Sequence, residues 1–128
     1  MNFEIQTTNY FDAEAKRLAK RHRSFIDDLK DFQESLLANP YQGTELSPGI
    51  RKIRMAIGSK GRGKSGGTRV ITLTYLVNAQ DGVVILLLIY DKADASNIKK
   101  NVVHKIVEDL GLDIEKLRGE GCLRVPKA

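Results

Sequence analysis

Between residues 51 and 69 the chain reads RKIRMAIGSKGRGKSGGTR, with seven basic residues (Arg51, Lys52, Arg54, Lys60, Arg62, Lys64 and Arg69) and no acidic one. Residues 1–50 carry six Lys/Arg against eight Asp/Glu, and residues 70–128 carry eight against eight, so the formal charge of +5 is concentrated in those nineteen residues. Cations clustered in this way suit a polyanion, because neutralising phosphates with Lys and Arg releases condensed counterions. The competing reading is a solvated basic face without a ligand, and the density of charge in one segment weighs against it.

Other chemistry is less well supported. Residues 58–65, GSKGRGKS, satisfy G-x-x-x-x-G-K-[ST], the pattern of a phosphate-binding loop. That loop works only if its Lys-Ser opens a helix whose amides face the phosphates. Here Gly66-Gly67-Thr68-Arg69-Val70-Ile71 follow, two glycines and then β-branched residues, which read as a turn into a strand. His22 and His104 have no metal-ligand spacing to other donors, and both read as exposed side chains. The acidic pairs Asp27-Asp28 and Glu108-Asp109 read as helix-exterior groups serving solubility or salt bridges. Cys122 is the single cysteine, so no disulfide and no thiolate cluster is available, which favours a reducing compartment.

Periodicity supplies the elements that must carry the basic residues. Phe3–Gln6 alternates as a short strand. Asn9 is the expected cap of a first helix to about Arg21, with Phe11, Ala15, Leu18 and Ala19 inward. Ser24 is the expected cap of a second, with Phe25, Leu29, Phe32 and Leu36 as its stripe, Ile26 and Leu37 beside it, and Asn39-Pro40 as its stop. In 50–57, Ile53, Met55 and Ile57 take one face of a strand, and Lys52, Arg54 and Ala56 the other. Residues 68–77 form the next strand and 78–82 a turn. Residues 83–90, apolar almost throughout, read as a strand buried on both faces. A third helix, capped by Asp94 or Ser96 and closed by Gly111, has Ile98, Val102, Ile106 and Leu110 as its stripe, flanked by Val103 and Val107.

The order β, α, α, β, β, β, α predicts an α+β domain: a small antiparallel or mixed sheet packed by two N-terminal helices, with a C-terminal helix. The domain spans 1–111, and 112–128 form a C-terminal tail. In this arrangement Lys52, Arg54, Arg69, Tyr90 and Lys92 come from three neighbouring strands and converge on one surface, with Arg62 and Lys64 in the loop beside it. Arg69 breaks the alternation, since it shares parity with Ile71 and Leu73, and is therefore placed at a strand end or bulge. The N-terminus lacks the basic and apolar regions of a signal peptide, and the longest apolar run, 83–90, is too short to span a bilayer. The expectation is a cytoplasmic protein without membrane contact.

Three ordered stretches, GIRKIRMA at 49–56, GRGKSGGTRVI at 61–71 and LLLIYDKADAS at 86–96, resemble the RelE/ParE superfamily of type II toxin-antitoxin toxins, nearest its HigB/RelE-like branch. The resemblance covers roughly residues 3–110. It implies a ribosome-dependent endoribonuclease that cuts mRNA without metal or other cofactor. Its implied partners are a cognate antitoxin protein, the ribosome and mRNA, and operator DNA only through the antitoxin complex. By position, it implies catalytic roles for Lys52, Arg54, Arg69, Tyr90 and Lys92 and RNA-binding roles for Arg51, Lys60, Arg62 and Lys64. Relatives often carry consecutive tyrosines after the Arg-Val-Ile run, where this chain has Thr72-Leu73-Thr74 before Tyr75, which weakens base stacking there. A gyrase-poisoning class of the same superfamily tends to lack the dense basic strand and loop. A non-catalytic RNA-binding module would share the basic patch.

Overall fold

The computed structural model describes residues 2–58, 67–91 and 100–111. In chain order the elements are β1 (Asn2–Thr7), α1 (Asn9–Arg21), α2 (Phe25–Ala38), β2 (Thr44–Ser47), β3 (Ile50–Met55), β4 (Thr68–Leu76), β5 (Asp81–Asp91) and α3 (Lys100–Asp109). The strands form one sheet in the order β1-β5-β4-β3-β2. From β2 to β5 successive strands are antiparallel, while β1 lies parallel to β5, so the sheet is mixed.

Apolar clusters occupy both faces. The α1–α2 hairpin buries Phe11, Leu18, Phe25, Phe32 and Leu36 against Ile53, Met55, Val70, Val84, Leu86 and Ile89. On the opposite face α3 buries Val103, Ile106 and Val107 against Ile71, Leu73, Tyr75, Val83, Ile85 and Leu87. Each fully buried side chain of this kind contributes about 1.5–3 kcal/mol. This two-sided burial is why 83–90 is apolar at nearly every position. Tyr10 Oη donates to Asp109 Oδ2 at 3.0 Å and ties α1 to the end of α3.

Several local expectations shift. The cap of α1 is Thr8, one residue earlier than Asn9: its backbone is extended and its Oγ1 accepts from the Phe11 N–H at 3.0 Å. Ser24 precedes α2 as expected but makes no side-chain cap bond, its hydroxyl donating instead to Asp28 Oδ2 at 2.6 Å. Ile26 and Leu37 face solvent beside the buried stripe of α2. On α3 the buried line is Val103, Ile106 and Val107, while Val102 and Leu110 are exposed. The inward face is thus turned from the expected stripe toward its flank. Gly111, at φ 79°, follows α3 in the left-handed conformation expected of a C-terminal cap.

Strand β2 is an additional element. TELS has no apolar alternation, and only the Pro48-Gly49 turn behind it signals a hairpin; Gly49 sits at φ 82°, the geometry a type II turn requires at its third position. Both histidines are half-buried rather than exposed, and Nε2 of each is buried without a hydrogen-bond partner among the described residues. Asp94, Ser96, Ile98, Cys122 and the tail 112–128 lie outside the described residues.

Candidate active site

The geometry of the site depends on one irregularity in β5. Ile71 pairs with Leu88 and Thr72 with Leu86, so Leu87 is an extra residue opposite β4. Before this bulge Val83, Ile85 and Leu87 face α3; after it Leu88 and Tyr90 do, while Ile89 turns to the hairpin. Unbroken alternation would have put Tyr90 under α1 and α2. The bulge is held from outside the ladder: Thr8 Oγ1, itself buried, donates to the Leu87 carbonyl at 2.7 Å, and the Thr8 N–H donates to the Leu86 carbonyl at 3.3 Å.

With that parity change, Arg54 stands opposite Arg69 and Arg69 opposite Tyr90. The three side chains form a row across β3, β4 and β5 on the α3 face. Strands about 4.8 Å apart make this row roughly 10 Å long. Lys52 lies two residues along β3 on the same face, about 7 Å from Arg54. Arg69 therefore sits on the face of Ile71 and Leu73 without breaking alternation; the irregularity is in β5. One side of the sheet is apolar at Ile71 and Leu73 and cationic at its end.

Arg54 is exposed, and Lys52 and Arg69 are half-buried. Nη1 of Arg69 is buried and has no hydrogen-bond partner among the described residues. Buried polar groups are ordinarily paired, and an unpaired one costs about 1–3 kcal/mol, more for a charged group. Tyr90 is only 7 % exposed. Burial raises its pKa above the ordinary tyrosine value, while the charge of Arg69 opposes that shift. At neutral pH the phenol is protonated and able to donate.

Arg51 does not join the row. Its parity is that of Ile53; it lies 5.8 Å above the Tyr41 ring, Nη2 is 3.7 Å from Glu45 Oε2, and Nη1 donates to the Gly43 carbonyl at 3.5 Å. Lys60, Arg62, Lys64 and Lys92 lie outside the described residues. β3 ends at Met55 and β4 begins at Thr68, so the segment carrying Lys60, Arg62 and Lys64 connects the strands next to Arg54 and Arg69. Strand from Thr68 onward leaves no length for the helix a phosphate-binding loop needs.

Two contributors have little signature in the sequence. Thr8 is recognisable as a helix cap, but not as the partner of a bulge carbonyl 79 residues away. Asp28, read as an exterior acid, is half-buried, and its Oδ2 accepts from the Gly58 N–H at 2.8 Å. Among the described residues no three His, Cys, Asp or Glu side chains are grouped to hold a metal ion. No helix of the described residues is long and apolar enough to cross a membrane.

No family model matches the chain. Five mixed strands with a helical hairpin on one face and a third helix on the other make a RelE-like α+β fold. A solved structure of the E. coli toxin RelE, a mutant in the free state, superposes with a TM-score of 0.53 at 16% identity, covering 86% of this chain and 98% of that one.

Proposed function

We propose that this protein is the toxin of a type II toxin-antitoxin pair, nearest the HigB/RelE-like branch, and that it cleaves mRNA on the ribosome. The observation that carries the reading is the row Arg54–Arg69–Tyr90, two guanidinium groups and a phenol aligned across three strands. The planar fork of arginine suits phosphate oxygens, and two such forks stand side by side in this row. The RelE-like fold is consistent with this use of the surface.

Cleavage by transesterification requires the ribose 2′-OH to attack the adjacent phosphorus in line, charge on the pentacoordinate phosphorus to be stabilised, and a proton to reach the leaving 5′-oxygen. In the proposed mechanism Lys52 and Arg54 bind and orient the RNA backbone, and Lys52 takes up the 2′-OH proton as the O2′–P bond forms and the P–O5′ bond breaks. Arg69 donates to the non-bridging oxygens as their charge develops, and preorganised donors at that point are worth more than they would be in water. The neutral Tyr90 phenol hydrogen-bonds or stacks beside the scissile nucleotide. Lys92 delivers the proton to the 5′-oxygen, and Lys60, Arg62 and Lys64 hold neighbouring phosphates. No metal or cofactor enters these steps. A cognate antitoxin silences the protein in the cytoplasm, and operator DNA is reached only through that complex.

The test is expression of wild type and of Arg69→Ala in a bacterial translation extract, with mapping of mRNA 5′ ends. New ends within codons for wild type alone are expected. Intact mRNA with gyrase trapped on DNA would replace this reading with the gyrase-poison class, and neither effect would replace it with non-catalytic RNA binding.

A further inference from the structure

The sheet offers β5 two registers against β4, and they differ in which side chain stands beside Arg69. Thr72 pairs with Leu86, so an unbroken ladder would set Ile71 against Leu87, Val70 against Leu88, Arg69 against Ile89 and Thr68 against Tyr90. Leu88, Ile89 and Tyr90 would each change face, and Ile89 would replace Tyr90 in the row. The observed ladder skips Leu87 and pairs Arg69 with Tyr90. Leu86 to Tyr90 is apolar or aromatic throughout, so hydrophobic burial does little to choose between the two. What distinguishes them is a hydrogen bond made outside the ladder. Successive carbonyls of a regular strand point to opposite edges, yet those of Leu86 and Leu87 are both taken by Thr8, the first by its N–H at 3.3 Å and the second by its Oγ1 at 2.7 Å. Thr8 lies between β1 and α1 and is 3 % exposed. The Phe11 N–H fills a lone pair of its hydroxyl at 3.0 Å, and the single hydroxyl proton goes to the Leu87 carbonyl. In the unbroken register that carbonyl would turn toward β4, and the buried hydroxyl would lose its acceptor.

We propose that Thr8 is a positioning residue: by holding the Leu87 carbonyl it selects the bulged register and so places Tyr90 beside Arg69, on the face where RNA is cut. The proposal rests on the RNA-cleaving function argued above. Thr8 acts through Tyr90, while Lys52, Arg54 and Arg69 are set by the β3–β4 ladder and keep their places. Loss of the hydroxyl should therefore lower the rate of cutting and leave binding of the RNA backbone intact.

The experiment measures cleavage of mRNA on programmed ribosomes against protein concentration for wild type, Thr8→Val, Thr8→Ser, Tyr90→Leu and the double variant carrying Thr8→Val and Tyr90→Leu. Rates are compared at a temperature where urea unfolding shows every variant folded. Thr8→Val should lower the plateau rate about tenfold, the worth of one hydrogen bond at the cut, with the half-saturating concentration unchanged. Thr8→Ser keeps the hydroxyl and should recover the wild-type rate. In the Tyr90→Leu background Thr8→Val should cost nothing further, because the two residues act as one unit. An unchanged plateau in Thr8→Val overturns the proposal, as does an equal loss in both backgrounds, a raised half-saturating concentration in place of a lowered rate, or no recovery in Thr8→Ser. Ring placement is read separately by NMR. Nuclear Overhauser contacts should tie the Tyr90 ring to Arg69 and Ile71 in wild type and Thr8→Ser, and to Thr68 and Val70 in Thr8→Val. If wild type cuts nothing, the nuclease reading fails on its own and the ring contacts decide. Their transfer in Thr8→Val then supports the selection of register by Thr8, and wild-type contacts in that variant overturn it.

Discussion

Replacing Arg69 by methionine should stabilise the fold while abolishing activity. Met keeps much of the apolar stem of arginine and removes the guanidinium whose Nη1 is buried without a partner among the described residues. Relief of one unpaired buried polar group is worth about 1–3 kcal/mol. Arg54 stands directly opposite Arg69, and separating like charges across strands adds a further ~0.2–1 kcal/mol. The sum, roughly 1–4 kcal/mol, is large against the ~5–15 kcal/mol of a typical domain and corresponds to about 4–15 °C in Tm at this size. Urea unfolding at low ionic strength measures it, with the slope against denaturant checked to be unchanged. Inorganic phosphate should raise the midpoint of wild type more than that of Arg69→Met, since an anion bound to the native state stabilises it by mass action. A variant less stable than wild type by more than about 1 kcal/mol, at unchanged slope, would refute the reasoning, because the guanidinium would then be satisfied in the native protein.

Thr8→Val keeps the shape of the side chain but leaves both the Leu87 carbonyl and the Phe11 N–H without its hydroxyl; a loss of roughly 2–4 kcal/mol is expected in chemical denaturation, and wild-type stability would show that the bulge does not need Thr8. Gly82→Ala would drive a methyl into the edge of the Phe3 ring, forcing the ring away from its edge contact with Tyr41; a cost of about 1–3 kcal/mol should appear in the thermal midpoint, and a neutral result would contradict the packing of β1 on β5. Burial, with a smaller contribution from Glu4, pushes the pKa of Tyr75 up to about 12. Its folded value lies above the unfolded one near 10, so its contribution is complete below about pH 10 and is lost as pH rises toward 12. Stability measured across that window should fall less steeply for Tyr75→Phe than for wild type, and parallel curves would rule out the assignment.

The helices and long strands were legible because their burial follows simple periods, as with Phe11 and Leu18 on α1 or Ile53 and Met55 on β3. β2 was not, since a four-residue edge strand held by a bulged pairing needs no apolar alternation. At the site, the neighbourhood of Lys52, Arg54, Arg69 and Tyr90 followed from strand order, but the reason Tyr90 shares their face did not. In Leu86-Leu87-Leu88-Ile89-Tyr90 every position suits burial, so a parity change leaves no trace in hydropathy. Arg69 shares parity with Ile71 and Leu73 because this face changes from apolar to cationic along β4, which alternation alone does not signal. The inward face of α3 is turned by a small rotation from the expected stripe, since Val102, Val103, Ile106, Val107 and Leu110 are too apolar for spacing to choose among them. Asp28 and Thr8 act through partners 30 and 79 residues away, and no local pattern encodes such contacts.

The central claim is that this basic row promotes attack by a ribose 2′-OH on mRNA held in the ribosome. Its most direct test uses ribosomes programmed with an mRNA carrying a single 2′-deoxynucleotide on the 5′ side of a mapped cleavage point. The all-ribose message should be cut there by wild type, leaving a 5′-hydroxyl end and a 2′,3′-cyclic phosphate, and should stay intact with Arg69→Ala. The deoxy-substituted message should resist cleavage at that bond. Cutting at the deoxy position, or products bearing a 5′-phosphate, would contradict the account.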